Sequence, residues 1–216
     1  MDIVYLGHSS FRIKGRNATV VTDPFDPSDV GLKYTRTEAD IVTVSHQHSD
    51  HNKSDLVANK KMVIDVSGEY EVMGVSVVGI EVDHDASGGE ERGKNIIFIF
   101  EIDGVRVAHF GDLGHKPSDK VVEAIGELDV MMIPVGGVYT IGPKVAAEIV
   151  KEFEPPFVIP MHYKVPGMKE EAFGKLSPVD DFLKELAYDV EKSDKLVIKK
   201  ELIDYEVNKA VVLEKR

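Results

Sequence analysis

A short stretch of metal-ligating side chains constrains this chain more than any other feature. His46, His48, Asp50 and His51 follow directly after the apolar run Ile41 to Val44. Side chains alternate faces in an extended segment, so His46 and His48 are expected to point the same way and to hold one ion. Asp50 and His51 lie past the strand end and are free to turn towards a second ion. A histidine-rich solvated loop is the alternative, and four ligand-type residues at this spacing disfavour it.

Three further candidate ligands lie far along the chain, each after a stretch with the pattern of a strand. With the motif His46 to His51 the chain resembles the metallo-β-lactamase superfamily, which is marked by the sequence HxHxDH. The resemblance implies that His84 joins the first two histidines on one ion. It also implies that Asp112 bridges both ions and that His162 completes the second set. Residues near His84 that offer competing ligands are Asp83, Asp85 and His115.

Several segments outside the motif point to one branch of the superfamily. They are similar to the lactonase-like branch of the superfamily, which includes ascorbate-phosphate lactonase and relatives of the phospholipase D that acts on N-acyl-phosphatidylethanolamines. Both enzymes are considerably longer than this chain. This difference in length argues against assigning their particular substrates to this chain. The similar segments, within a match from Ile3 to Tyr163, are Gly7 to Ile13, Thr22 to Phe25, His109 to Gly114, Pro134 to Gly137 and Tyr139 to Thr140.

The order of apolar patterns predicts an α+β fold in which two sheets pack together with helices outside. The resemblance implies that this fold is the αββα four-layer sandwich of the metallo-β-lactamase type, with two mixed β-sheets face to face. Residues 1–216 are expected to form a single domain. An Asp103-Gly104 pair predicts a hairpin. Helices are predicted to begin near Ser118, Pro143 and Pro178. The predicted strands are Ile3 to Leu6, Phe11 to Lys14, Ala18 to Val21, Ile41 to Val44, Met62 to Val66, Val75 to Val82, Ile96 to Ile102, Val105 to Ala108, Val130 to Pro134, Phe157 to Pro160 and one near the C-terminus.

Composition excludes several classes of protein. The chain has no cysteine, so disulfides, thiolate ligands and a cysteine nucleophile are excluded and any metal must bind nitrogen or oxygen. A net charge of −12 argues against nucleic-acid binding. No apolar stretch reaches the roughly 20 residues that a membrane span needs, and no signal segment follows Met1, so we expect a cytoplasmic protein. The sequence leaves the oligomeric state open and is compatible with a homo-oligomer.

The ligand set predicts a hydrolase with two divalent metal ions. Nitrogen-rich sites favour zinc, and imidazole with carboxylate also suits manganese or iron. Two such ions lower the pKa of a bridging water towards neutrality, so hydroxide becomes the nucleophile. The expected substrate is a small molecule, an ester, lactone or phosphodiester, and an anionic group on it would be attracted by the ions. The alternatives are a metal-binding scaffold without catalysis and, with less support, a di-iron redox protein.

Further roles in the reaction are expected for one of the ligands and for several residues outside the ligand set. Asp50 is expected to take the proton from the attacking water. His8 and His115 are candidates for a proton donor or for holding the substrate, with a structural histidine as the alternative for each. Asp23 is expected to accept a hydrogen bond from a ligand imidazole. The segment from Ser87 to Lys94 is interpreted as a solvated hairpin loop rather than a lid that brings a cation to the substrate.

Overall fold

Short apolar runs separated by turn residues build most of this chain into strands. The computed structural model describes residues 1–216. The strands are β1 (Asp2–Gly7), β2 (Ser10–Lys14), β3 (Thr19–Thr22), β4 (Thr37–Glu38), β5 (Ile41–Thr43), β6 (Val57–Ala58), β7 (Met62–Ile64), β8 (Gly68–Val72), β9 (Val75–Asp83), β10 (Lys94–Ile102), β11 (Val105–His109), β12 (Val130–Pro134), β13 (Phe157–Met161), β14 (Asp189–Ser193), β15 (Leu196–Val197) and β16 (Lys209–Leu213). The helices are α1 (Pro27–Val30), α2 (Asp119–Ile125), α3 (Pro143–Phe153), α4 (Glu170–Phe173) and α5 (Val179–Leu186).

The strands form two large sheets and one small one. The first large sheet has six strands in the order β15-β1-β2-β3-β5-β7, and the second has eight in the order β14-β16-β13-β12-β11-β10-β9-β8. Strands β4 and β6 form a separate pair. Each large sheet is mixed: β1, β2 and β3 pair antiparallel whereas β5 pairs parallel with β3, and β11 to β13 are parallel whereas β9 to β11 are antiparallel. The predicted pair of mixed sheets is confirmed.

Alternating side chains of the strands explain the layers. In β1, Ile3 and Tyr5 lie in the core between the sheets, together with Phe98 and Phe100 of the other sheet. Val4 and Leu6 of the same strand face the opposite side, where residues of α1 and α4 cover them. The outer face of the eight-stranded sheet packs against α2, α3 and α5. Because side chains alternate faces, one strand serves two cores, and the predicted αββα sandwich is confirmed.

The local signals for turns and helix starts are also confirmed. Asp103 and Gly104 join β10 to β11 with φ of 55° and 76°, the left-handed pair that a type I′ hairpin turn requires. Ser118 precedes α2, Pro143 occupies the first turn of α3, and Pro178 precedes α5. No helix is both long and apolar enough to cross a membrane.

Strand ends converge on one edge of the sandwich, where the candidate site lies. Strand β9 runs antiparallel to β10, which runs antiparallel to β11, and β11 to β13 are parallel. The carboxyl ends of β9, β11 and β13 therefore share an edge, and the loops after β3 and β5 reach the same place from the first sheet. Strand β5 ends at Thr43 and residues 45–51 form bends and turns, so the prediction that His46 and His48 continue an extended strand is wrong.

We expect Phe100→Ala to lower the free energy of unfolding by about 3–5 kcal/mol, because it removes a fully buried ring from the core between the sheets. Urea unfolding followed by circular dichroism measures the change. Leu202→Ala is the control, since that side chain is 73% exposed and its loss should change stability by less than about 0.5 kcal/mol. A single domain over residues 1–216 stays a prediction, and two separate unfolding transitions, only one of them shifted by Phe100→Ala, would contradict it.

Candidate metal centre

The histidine-rich loop after β5 is fixed by hydrogen bonds to both sheets. The backbone N–H of Ser45 donates to Asp23 Oδ1 at 2.8 Å, and the hydroxyl of Ser45 donates to Asp23 Oδ2. The backbone N–H of Ile96, in the other sheet, donates to the carbonyl of Ser45 at 2.9 Å. The loop closes with a turn in which His51 N–H donates to the carbonyl of His48 at 3.0 Å. The loop is therefore bound to both sheets at this edge of the sandwich.

Three imidazoles form a first cluster at this edge. The ring centroid of His46 lies 4.6 Å from that of His48 and 4.6 Å from that of His84. Ligand atoms of these three residues all lie within 4.8 Å of one another. His46 and His84 are buried whereas His48 is exposed, so the cluster opens to solvent on one side. A turn, and not an extended strand, brings His46 and His48 together.

A second cluster lies beside the first. It consists of His8, Asp50, His51 and His162, whose ligand atoms also lie within 4.8 Å of one another. The rings of His51 and His162 are nearly parallel, with an interplanar angle of 10° and centroids 5.9 Å apart. His8 was expected near the substrate, and the structure places it among the residues of this second cluster. The carbonyl of His8 accepts the backbone N–H of His162 at 3.0 Å, which joins the end of β1 to the end of β13.

Asp112 lies between the two clusters. One carboxylate oxygen, Oδ1, is 3.3 Å from His51 Nε2. The other, Oδ2, is 3.2 Å from His162 Nε2 and 3.6 Å from His84 Nε2. The carboxylate thus contacts imidazoles of both sets. Asn95 holds the loop that carries it, since the Asn95 side chain accepts the Asp112 backbone N–H and donates to the carbonyl of Phe110, both at 2.9 Å.

The buried polar atoms of this edge suit divalent metal ions. Almost all buried nitrogen and oxygen atoms in folded proteins have hydrogen-bond partners. Here several that point towards one another have none, and their donor types, imidazole nitrogen and carboxylate oxygen, are those that bind zinc, manganese or iron. The buried atoms without partners include His46 Nε2, His51 Nε2, His84 Nε2, His162 Nε2 and Asp112 Oδ1.

The opposite ring nitrogens of His46 and His51 are held by neighbouring side chains. His51 Nδ1 lies 2.9 Å from Asp23 Oδ2, and His46 Nδ1 lies 2.9 Å from the Ser45 hydroxyl. Such contacts orient an imidazole and leave Nε2 free for a metal. His8, Asp23 and His162 all have positive φ, at 56°, 39° and 53°. Backbone held in this unfavourable region is typical of functional sites.

Burial and charge set the protonation of these groups in the metal-free protein. Burial lowers the pKa of His46 to about 3, so its imidazole is neutral and able to bind a metal at neutral pH. Burial also disfavours the charged forms of His51 and Asp112. Attraction to Asp112 and Asp50 outweighs burial and raises the pKa of His51, and attraction to the imidazoles of His162 and His51 outweighs burial and lowers the pKa of Asp112. A positive charge is therefore favoured where a cation would lie.

Other predicted residues lie elsewhere. The carboxylate of Asp83 binds Lys94 and that of Asp85 accepts backbone N–H groups of its own loop, so of the competing ligands near His84 neither aspartate joins the clusters. His115 lines neither of the cavities described below, and its Nδ1 lies 2.9 Å from the carbonyl of Lys116. His109 is fully buried, with Nε2 2.7 Å from the carbonyl of Ser9, as expected of a structural histidine.

A cavity of about 250 Å³ opens over the clusters. Its walls include Tyr139 and Phe173, which the sequence did not single out, and the Tyr139 hydroxyl donates to the carbonyl of Ala172 at 2.8 Å. The cavity also contains carboxylates and imidazoles of both clusters. These are His48, Asp50, His84 and Asp112. Asn95 was likewise missed, although a buried asparagine directly before the apolar run of β10 is unusual.

Comparison with known proteins identifies the family. A family model of the beta-lactamase superfamily domain matches residues 2–162, a range that contains both clusters. The chain belongs to the metallo-β-lactamase superfamily. A UPF0173 metal-dependent hydrolase from Thermococcus onnurineus (strain NA1) is 31% identical over 191 residues, which cover 76% of this chain and 84% of the relative. The superfamily prediction is confirmed.

Solved structures of the metallo-β-lactamase superfamily agree. A Thermotoga maritima protein assigned to the Zn-dependent hydrolases of this superfamily is 41% identical, with a TM-score of 0.82 over 100% of this chain and 99% of that chain. A metallo hydrolase from Ignicoccus hospitalis has a TM-score of 0.64 over 86% of this chain and 90% of its own. It is 20% identical, so this likeness shows the fold alone.

Asp23→Asn should weaken metal binding about 10–100-fold, because an amide holds the His51 ring and its tautomer less well than a carboxylate does. Competition with a chromogenic chelator measures the affinity. Asp65→Asn is the matched control: Asp65 lines the cavity next to His46 but contacts none of the clustered imidazoles. Equal affinities of the wild type and Asp23→Asn would contradict the proposed role of Asp23.

Proposed function

We propose that this protein is a metal-dependent hydrolase that uses two divalent ions. The observation that carries the proposal is the position of Asp112, whose carboxylate faces His51 and His162 of the second cluster and His84 of the first. The names of the relatives, a metal-dependent hydrolase and a Zn-dependent hydrolase, support the reaction class. We assign His46, His48 and His84 to one ion, Asp50, His51 and His162 to the other, and Asp112 to both.

Zinc is the first choice for both ions. Five of the seven proposed ligands are imidazoles, namely His46, His48, His51, His84 and His162, and nitrogen-rich sites favour zinc. Manganese and iron remain the alternatives, because the two carboxylates suit them as well. When bound, such ions lower the pKa of a water molecule and polarise the carbonyl or phosphoryl oxygen of a substrate.

Asp50 is the proposed general base. Its carboxylate lies at the cavity, 3.1 Å from His8 Nε2 and 3.6 Å from His51 Nε2. Burial opposes ionisation of Asp50, but the charge and hydrogen bonds of His51 and His8 outweigh it and keep its pKa below the usual range. The carboxylate is therefore ionised at neutral pH and able to accept the proton of an attacking water.

His8 positions Asp50 in this proposal. The ring is fully buried, which keeps it from reaching a leaving group, and burial lowers its pKa to about 4. A neutral His8 donates its Nε2–H to Asp50 Oδ2 and so fixes the carboxylate. His115 contacts none of the clustered residues. Proton donation by His115 therefore stays a prediction that rests on the sequence alone.

The substrate is proposed to be a small ester, lactone or phosphodiester. The cavity of about 250 Å³ admits only a small group next to the ions. Tyr139 and Phe173 supply an apolar wall on one side, and the proposed base lies at the floor.

The proposed function is tested by assaying the metal-loaded protein with bis(p-nitrophenyl) phosphate, p-nitrophenyl acetate and γ-butyrolactone. We expect turnover of at least one substrate and a loss of about 1,000-fold or more in Asp112→Asn, because the substitution removes one negative charge and one carboxylate oxygen that would hold the ions. Metal content is measured by mass spectrometry in every sample. Full metal loading without turnover of any substrate would instead support a metal-binding scaffold.

Asp50→Asn should retain its fold but, even at metal concentrations that saturate its sites, lose about 100-fold or more of kcat, since the amide cannot accept the proton. Asp29→Asn is the matched control, because Asp29 lines the same cavity and belongs to neither cluster. His8→Gln should lower kcat less than Asp50→Asn does, and with little change in KM, if its role is to position the base. Unchanged kcat in Asp50→Asn would refute the assignment of the base.

A further inference from the structure

The loop after β9 is folded tightly onto a single carboxylate. Asp85 accepts backbone N–H groups from Ser87, Gly89, Glu91 and Arg92 at distances of 2.8 Å, 3.0 Å, 3.1 Å and 2.8 Å. These bonds fix the backbone at Arg92. The predicted solvated hairpin loop is confirmed, since residues 87–94 join the antiparallel strands β9 and β10 and none of them is buried. The buried carboxylate of Asp85 anchors this loop.

The Arg92 side chain extends from this anchored backbone to the mouth of the metal centre. Its guanidinium carbon lies 5.7 Å from the centroid of the Tyr139 ring, a distance at which a cation is attracted to the face of an aromatic ring. Arg92 lines a cavity of about 400 Å³ together with His46 and His48. Tyr139 lines the adjacent cavity of about 250 Å³, which also contains His48 and Asp112. The guanidinium therefore lies where the two cavities meet.

The charges around Arg92 leave its guanidinium available. Arg92 and Lys94 are the only cationic side chains that line the two cavities. The ammonium group of Lys94 is 2.5 Å from Asp83 Oδ1, so its charge is already paired. The nearest anion to Arg92 is Glu91 at 3.5 Å, whose side chain is 62% exposed, and such an exposed contact is weak.

We propose that Arg92 binds an anionic group of the substrate beside the bond that is cleaved. This inference rests on the proposed hydrolase function and adds to it a substrate class, small molecules that carry a carboxylate or a phosphate. A planar guanidinium matches the paired oxygens of both groups. The chain carries a net charge of −12, so an anion needs a local cation in addition to the metals to be held in one orientation.

Two esters that share a leaving group test the proposal. The ratio of kcat/KM for mono-p-nitrophenyl succinate to that for p-nitrophenyl acetate reports the contribution of the carboxylate. We expect Arg92→Gln to lower this ratio at least ten-fold, and Arg92→Lys to restore part of it. Lys94→Gln removes the same charge from a side chain that is already paired, and should leave the ratio within two-fold of the wild type. Equal ratios in the wild type and Arg92→Gln, or equal losses in Arg92→Gln and Lys94→Gln, would overturn the proposal.

A binding measurement separates this inference from the proposed function. Inorganic phosphate is titrated calorimetrically into the metal-loaded wild type, Arg92→Gln and Lys94→Gln. We expect at least a ten-fold higher Kd for phosphate in Arg92→Gln alone. If no ester is hydrolysed, the proposed function fails while this titration still decides whether Arg92 binds anions. A Kd that does not change in Arg92→Gln would overturn the assignment of Arg92.

Discussion

Buried nitrogen and oxygen atoms without hydrogen-bond partners are the constraint on which the rest of this structure depends. Removing such atoms from water costs free energy unless another hydrogen-bond or metal partner replaces the water. At this edge the imidazoles of His51, His84 and His162 all present an unpartnered Nε2 to the carboxylate of Asp112. The arrangement is unfavourable for the chain alone and favourable around cations. The two sheets must therefore supply the stability that holds it in place.

Hydrogen bonds between distant segments transmit that stability to the site. Ser45, in the loop after β5, is bound both to Asp23 of its own sheet and to Ile96 of the other. The backbone of His162 is bound to His8, which again joins the two sheets. The site consequently belongs to neither sheet, and its geometry depends on how the sheets pack. The Ser45 hydroxyl and the Asp23 carboxylate then fix the rings of His46 and His51. Few side-chain torsions of these rings therefore remain to be ordered when a metal binds.

Local signals in the sequence predicted much of this structure. Short apolar runs predicted most long strands, and the Asp103-Gly104 pair predicted its hairpin, because these patterns depend on neighbours in the chain. The cluster around His46 and His51 was recognisable because a short motif carries four candidate ligands. Weakly apolar strands were missed, such as β8 and β14, whose side chains are mostly exposed and show no buried face.

Contacts between distant segments were beyond the reach of sequence patterns. Arg92 and Tyr139 lie in separate loops, and no periodicity in the sequence indicates that the guanidinium of Arg92 lies over the ring of Tyr139. The charge balance of the chain also hides this feature, since its excess of acidic residues suggests that it repels anions. Electrostatic attraction weakens within about 10 Å at moderate ionic strength, so the local arrangement decides which ions bind. The proposed selection of an anionic substrate by this acidic protein thus depends on one weakly paired guanidinium, that of Arg92, beside the candidate metal centre.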